Sequence, residues 1–175
     1  DSFYYLASVP AILGGALAMN AGRGREHNLS IYDFVKSMKV FENGKEKTLS
    51  KEELNLSYRK TNFTGIQNTF ITSAIFEFPS KNFDDNPILK RVKWSQEFQE
   101  HTKANCGSVF KTWDFRIMKF LQGFKFFGAW YSAKTLNWIS NSSDSSFPIQ
   151  VLIKISIFLH KILGKKISLE IIEID

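Results

Sequence analysis

The run Val35-Lys36-Ser37-Met38-Lys39-Val40-Phe41, with the Asn43-Gly44 pair behind it, constrains the local fold more tightly than any other stretch of the chain. Apolar and polar residues alternate there, as in a strand with one buried face. Asn-Gly tolerates the two positive φ angles that a tight hairpin turn demands. The pattern predicts an antiparallel hairpin with Lys45–Leu49 as the returning strand. Ser50 and Glu53 stand at capping-box spacing and predict one helical turn after it. Phe70–Pro79 reads as a further strand, stopped by its proline.

Between Phe3 and Met19 the chain is apolar but broken by Pro10, Gly14 and Gly15, so residues 4–24 read as a strand or helix start, a glycine turn and a run of small residues. The polar stretch Ser80–Asn86 is the candidate domain boundary. Beyond it the pattern predicts a helix over 88–103 with Leu89, Val92 and Phe98 apolar, a turn at 105–107 and a strand from Val109. A helix over 117–121 follows, then a strand over 130–140 and a Ser/Asn loop over 141–146. A helix opened by Pro148 comes next, and a final strand runs over 167–174. Lys154, His160 and Lys161 punctuate 149–163 at helical spacing, which suits an amphipathic helix laid on a sheet rather than a membrane span. Residues 87–175 therefore predict an α+β domain, and no membrane insertion is expected.

Composition narrows the partners. The 175 residues carry a formal charge of +6. Their basic residues are scattered, and the densest cluster is only Lys161, Lys165 and Lys166, so nucleic acid is not the expected partner. The balance is also compatible with an anionic membrane surface or a phosphate-bearing small molecule. Cys106 is the single cysteine. It excludes an internal disulfide and a cysteine-rich metal site, and it fits a reducing cytoplasm; no metal is expected. The chain opens on Asp1 directly before an apolar segment, which reads as a fragment.

Three segments bear on chemistry. In Pro10-Ala11-Ile12-Leu13-Gly14-Gly15-Ala16-Leu17-Ala18-Met19-Asn20-Ala21-Gly22, paired glycines let a backbone come close to another backbone or a ligand. Tyr58-Arg59 brings a guanidinium able to hold a carboxylate and stabilise developing negative charge. In Asn105-Cys106-Gly107-Ser108-Val109-Phe110-Lys111, a serine on a glycine turn is held at a fixed angle, which suits proton delivery. It lacks the Gly-x-Ser-x-Gly elbow of a serine hydrolase. Cys106 reads as a small buried residue rather than a nucleophile.

Taken in order, these segments resemble the UDP-N-acetylmuramate dehydrogenase family, within the vanillyl-alcohol-oxidase-type flavoproteins. Pro10, Gly14, Gly15, Ala16, Met19, Asn20, Ala21 and Gly22 match the run that lies against the flavin, with Ala11 where the family has glycine. Tyr58-Arg59 and Gly107-Ser108 with Phe110-Lys111 match two later motifs. Gly128-Ala129, Ser132, Lys134, Asn137 and Asn141 match a fourth, and Leu169-Glu170 the closing strand. Thr112-Trp113 replaces the usual Asn-Pro, and Thr135 a histidine.

The resemblance implies the shorter form of the enzyme, truncated at its N-terminus. Residues 1–80 would be the second part of an FAD-binding domain and 87–175 a C-terminal α+β substrate-binding domain. It implies FAD and NADPH as cofactors, with Pro10, Gly14, Gly15, Asn20 and Ala21 against the flavin. The reaction would reduce UDP-N-acetylglucosamine enolpyruvate to UDP-N-acetylmuramate for peptidoglycan synthesis. Arg59 would stabilise an enolate, Ser108 would protonate the adjacent carbon, and a glutamate of the last strand would assist. Anchoring on Leu169-Glu170 puts Ile172 at that glutamate's place, and one extra residue puts Glu173 there. Alternation sets Glu170 on the face of Ile172; Glu173 is favoured. Tyr58, Gly107, Lys111 and Lys134 would contact the nucleotide sugar. The alternatives are a divergent FAD-binding paralogue acting on another nucleotide sugar, or a catalytically silent binding domain.

Overall fold

The hairpin predicted around Asn43-Gly44 is present: β3 (Val35–Glu42) returns as β4 (Lys45–Ser50), with φ +51° at Asn43 and +76° at Gly44. The computed structural model describes residues 2–9, 11–23, 29–66 and 68–172. The chain divides into two units, Asp1–Lys93 and Trp94–Asp175.

In the first unit β5 (Thr69–Phe76) pairs with the other edge of β3, giving an antiparallel sheet ordered β4-β3-β5. Two register shifts alter the simple alternation. Between Val35 and Ser37 the bulge puts an extra residue in β3, so Val35 and Met38, an odd and an even position, are both buried. Ser50 N–H donates to the Glu53 carboxylate at 2.7 Å, closing the predicted turn as a 3-10 segment, Lys51–Glu53. Before the sheet come α1 (Leu13–Ala18) and the two-residue strands β1 (Gly22–Arg23) and β2 (Leu29–Ser30). Gly14 and Gly15 thus lie inside a helix and not in a turn. The core joins Leu17 of α1 to Ile31, Tyr32, Val35, Met38, Val40, Leu54 and Phe63. The division between the units falls inside α2 (Pro87–Phe98), past the polar stretch 80–86.

α2 stops at Phe98, short of the expected 103, and Leu89 and Phe98 are exposed. Its last turn keeps an ordinary helical bond, Gln99 N–H to the Ser95 carbonyl at 2.9 Å, and that carbonyl also contacts the His101 ring at 3.1 Å.

In the second unit β6 (Asn105–Ser108), β8 (Lys125–Phe126), β9 (Ala129–Tyr131) and β10 (Trp138–Asn141) form a sheet ordered β6-β10-β9-β8. β7 (Phe110–Thr112) leaves it to pair with β11 (Ser168–Leu169). The strand expected over 130–140 is two strands. The Ser132 hydroxyl accepts the N–H groups of Lys134 and Thr135, and Asn137 adopts φ +66°, so the chain loops out between them. The final strand pairs only at Ser168–Leu169 among the described residues.

Helices α3 (Phe115–Leu121) and α4 (Phe147–Ile162) pack on this sheet, α4 with a proline in its first turn. Val109, Phe110, Ile117, Met118, Leu121, Ala129, Tyr131, Ile139 and Leu152 form the core. Buried His160 ties the helices together: its Nδ1 lies 2.7 Å from the Ser156 carbonyl, and Asp114 N–H donates to its Nε2 at 2.9 Å. That arrangement needs the neutral tautomer protonated on Nδ1. Asp114 caps α3 through the N–H groups of Arg116 and Ile117. The mixture of strands and helices is the predicted α+β class.

Candidate functional site

In the first unit, Arg59 is drawn onto the glycine segment. Its guanidinium donates to the Gly22 carbonyl at 2.5 Å and the Asn20 carbonyl at 3.3 Å, and it lies 4.9 Å from the centre of the Tyr58 ring. The backbone pays locally for this placement, since Arg59 sits at φ +55° in a region its side chain does not favour. Asn20, at φ +46°, donates through Nδ2 to the Ser57 carbonyl at 2.8 Å and accepts from the Ser30 hydroxyl at 2.6 Å. The hydroxyls of Thr61 and Thr64 both donate to the Ala18 carbonyl, at 2.8 and 2.7 Å. Segments 18–22 and 57–64, far apart along the chain, are held as one piece.

Beside this knot lies a recess of about 230 Å³ lined by Asn20, Ser30, Tyr32, Lys51, Tyr58 and Arg59 among others. Tyr32 donates to the Leu17 carbonyl at 2.9 Å, and burial pushes its phenol up to about 12. Gly22 is sterically required, because a Cβ there would stand 2.1 Å from the Leu29 carbonyl oxygen. Gly14 and Gly15 are different. A Cβ on Gly14 would meet nothing within 4 Å, and one on Gly15 only the Ile12 side chain at 3.5 Å. Packing within the described chain does not account for these two glycines. Ala21 is half-buried next to Asn20. Pro10 lies outside the described residues.

In the second unit, Gly107 takes φ +72° and half-buried Ser108 ends β6, opposite Trp138 of β10. Ser108 therefore stands where the chain passes from the four-stranded sheet to the β7–β11 pair. Asn137 holds the far side of that junction. Its side chain accepts Phe110 N–H at 2.9 Å and donates to the Phe110 carbonyl at 2.7 Å, while its carbonyl accepts Val109 N–H at 2.9 Å. Glu170 N–H donates to the Val109 carbonyl at 2.8 Å, so the last strand reaches the residue next to Ser108. Glu173 lies outside the described residues. Lys111 is exposed, and Lys134 donates to the Gln96 carbonyl at 2.8 Å. Cys106 is exposed, against the buried place expected for it.

Two residues escape the sequence reading. Asn137 is one, although it belongs to a matched motif. The other is Glu100, buried at 8% exposure. Its carboxylate accepts from the Thr102 hydroxyl at 2.6 Å, Thr102 N–H at 2.9 Å and the Ser132 hydroxyl at 3.2 Å. These bonds, the Thr102 hydroxyl foremost, hold its pKa below the usual carboxylate value. Thr135 closes the same network, its hydroxyl accepting Glu100 N–H at 2.9 Å and donating to the Phe98 carbonyl. Among the described residues no group of His, Cys, Asp and Glu could hold a metal, and no helix is long and apolar enough to cross a membrane. Arg59 and Ser108 belong to different units.

No family model matches the chain. Among curated proteins it is 30% identical over 154 residues to the UDP-N-acetylenolpyruvoylglucosamine reductase of Aquifex aeolicus, covering 83% of this chain and 50% of that protein. It is 31% identical over 182 residues to the enzyme of that name from Carboxydothermus hydrogenoformans, covering 95% and 57%. A crystal structure of UDP-N-acetylenolpyruvylglucosamine reductase from Thermus caldophilus shares the fold, with a TM-score of 0.76 over 97% of this chain and 63% of that one, at 23% identity. By sequence and by fold, the chain is a relative of the UDP-N-acetylenolpyruvoylglucosamine reductases, spanning about half of the length of the curated relatives it matches.

Proposed function

We propose that the chain supplies catalytic residues of an FAD-dependent, NADPH-using reductase that converts UDP-N-acetylglucosamine enolpyruvate to UDP-N-acetylmuramate in the cytoplasm, for peptidoglycan synthesis. The single observation that carries this reading is Arg59, held in a left-handed backbone and hydrogen-bonded onto the glycine segment. Strain of that kind gathers where a side chain must be aimed.

The glycine segment fits a flavin on structural grounds. Among the described residues no atom crowds a Cβ on Gly14, and only the Ile12 side chain, at 3.5 Å, would touch one on Gly15, so packing does not require these glycines. Gly14, Gly15, Asn20 and Ala21, with Pro10, would hold the cofactor. When bound, FAD reduced by NADPH supplies the hydride that adds at the methylene carbon of the enolpyruvyl group. Negative charge then gathers on the carboxylate side, where the Arg59 guanidinium stabilises it more than it stabilises the neutral ground state. Ser108 donates a proton to the adjacent carbon, its angle set by Gly107 on one side and by Asn137 through residues 109 and 110 on the other. Glu173 or Glu170 assists; the bond from Glu170 N–H to the Val109 carbonyl favours Glu170 as a neighbour of Ser108. Lys111 and Lys134 pair with the diphosphate, Lys134 by leaving the Gln96 carbonyl, while Tyr58 and Gly107 contact the nucleotide sugar.

A second reading, a paralogue acting on another nucleotide sugar, is favoured by Thr135, which stands where a histidine is expected and closes a network on Glu100. The test is to express the chain alone and within its full reading frame, look for flavin absorbance, and follow NADPH oxidation with and without the enolpyruvyl substrate. Substrate-dependent oxidation that collapses in Ser108→Ala and Arg59→Ala supports the reductase. Bound flavin with no response to this substrate selects the paralogue, and no flavin in either form selects a silent domain.

A further inference from the structure

We infer that the outward face of α4 docks on an anionic phospholipid surface. Leu152, Ser156 and His160 of this helix are buried against the unit, while Phe147, Lys154, Ile157, Phe158, Lys161 and Ile162 are exposed. The exposed positions recur at three-, four- and seven-residue steps, so they share one side of the helix. Apolar rings and lysines interleave there. Lys165 and Lys166 continue the basic row just beyond the helix, and no Asp or Glu occurs anywhere between Asp144 and Glu170. At the N-terminal end the patch extends further: Phe147 lies 6.4 Å from Phe126, whose ring is 4.8 Å from Phe127, itself 80% exposed at φ +39°.

Charge complementarity selects the occupant. A row of lysines with no acid among its own sequence neighbours, Asp114 of the neighbouring cap facing Lys165, stands beside exposed Phe and Ile and matches an interface of negative headgroups over acyl chains. A second copy of this chain on the same face would set lysine against lysine. A 16-residue helix is about 24 Å long, short of a bilayer's hydrocarbon core, so α4 lies on the surface and does not cross it. The inference does not depend on the reductase reading.

The experiment is cosedimentation of the full chain with vesicles of phosphatidylglycerol and phosphatidylcholine, and with phosphatidylcholine alone. Binding is expected only to the first, and it should fall away as salt rises from about 0.1 M to about 1 M and the screening length shrinks from about 10 to about 3 Å. Replacing Lys154, Lys161, Lys165 and Lys166 by Gln weakens partitioning at least about 100-fold, from about fivefold per lysine near such a surface. The charge-matched control, with Lys36, Lys45, Lys60 and Lys93 replaced by Gln, changes it little. Phe158→Ser with Ile162→Ser also weakens it. Any of four results overturns the inference: no sedimentation, equal binding to phosphatidylcholine alone, equal losses in the control, or a vesicle-free dimer that Phe158→Ser with Ile162→Ser dissolves. The wild-type salt series stands even if a variant misfolds, and sedimentation velocity reads the dimer directly.

Discussion

Replacing Asn137 by alanine removes both side-chain bonds to Phe110 at once, and that residue is 1% exposed. Only one orientation of the amide satisfies both contacts, oxygen toward Phe110 N–H and nitrogen toward its carbonyl. Each buried backbone group left without a partner costs about 1–3 kcal/mol. Alanine must also hold φ +66°, which adds about 1–2 kcal/mol. The expected loss is about 3–8 kcal/mol, enough to unfold much of a unit whose whole stability is expected at about 5–15 kcal/mol. Asn137→Gly keeps the left-handed backbone but not the bonds, so it recovers no more than about 1–2 kcal/mol of that. The assay is urea denaturation followed by tryptophan fluorescence. All four tryptophans, at 94, 113, 130 and 138, belong to the second unit, so the signal reports that unit alone. A loss under about 1 kcal/mol in Asn137→Ala, or full recovery in Asn137→Gly, would show that the side-chain clamp does not hold the Ser108 junction.

Three further outcomes follow from the same structure. Gly22→Ala drives a Cβ into the Leu29 carbonyl and toward the Arg59 guanidinium, costing about 1–3 kcal/mol; Gly14→Ala, with open space around it, leaves calorimetric stability unchanged or raised by up to about 1 kcal/mol. Glu100 has a folded-state pKa below the ordinary value, so its stabilising contribution is complete above that value and lost as pH falls through the folded one; Glu100→Gln should flatten the acid-side decline of the urea midpoint. Tyr32 and Tyr131 are pushed up to about 12, mainly by burial, so near-ultraviolet titration should leave these two of the five tyrosines neutral well above the ordinary value of 10.0, their stabilising effect fading as pH climbs toward 12. Ionisation of all five together at the ordinary value would refute that burial.

What was legible in the sequence was local. Asn43-Gly44 specifies its own turn, Ser50 and Glu53 their own cap, and Pro148 the start of α4. What was not legible depends on partners far along the chain. The bulge that buries both Val35 and Met38 exists only because β5 lies alongside with its own spacing. The strand read over 130–140 fails because the Ser132 hydroxyl collects two backbone N–H groups and Asn137 turns back to Phe110. Glu100 looks like surface from its charged neighbours; it is buried because Thr102, Ser132 and Thr135 meet it in space. The end of the glycine segment was recognisable as a motif, but only the fold shows that Gly22 must be glycine for steric reasons while Gly14 need not be.

That distinction sorts the likeness to the reductases into two kinds of information. Gly22, Asn20, Thr61 and Asn137 each answer a demand of the chain's own packing: a carbonyl at 2.1 Å from any Cβ, a left-handed turn, an acceptor that needs donors. A chain with this fold and no catalytic activity would still need them, so the agreement of Gly22, Asn20 and Asn137 with the family speaks for the fold. Gly14 and Gly15 answer no such demand among the described residues, Ser108 is half-buried at the end of β6, and Arg59 accepts an unfavourable backbone to reach the Gly22 and Asn20 carbonyls. These four positions carry the case for chemistry. Substituting Gly14, Gly15 and Ser108 while keeping the first group and Arg59, whose guanidinium also ties the Gly22 and Asn20 carbonyls to segment 57–64, should therefore leave the folded structure intact while removing whatever flavin-linked activity the protein has; loss of folding in that set would move these residues into the first group and leave the reductase reading without its structural support.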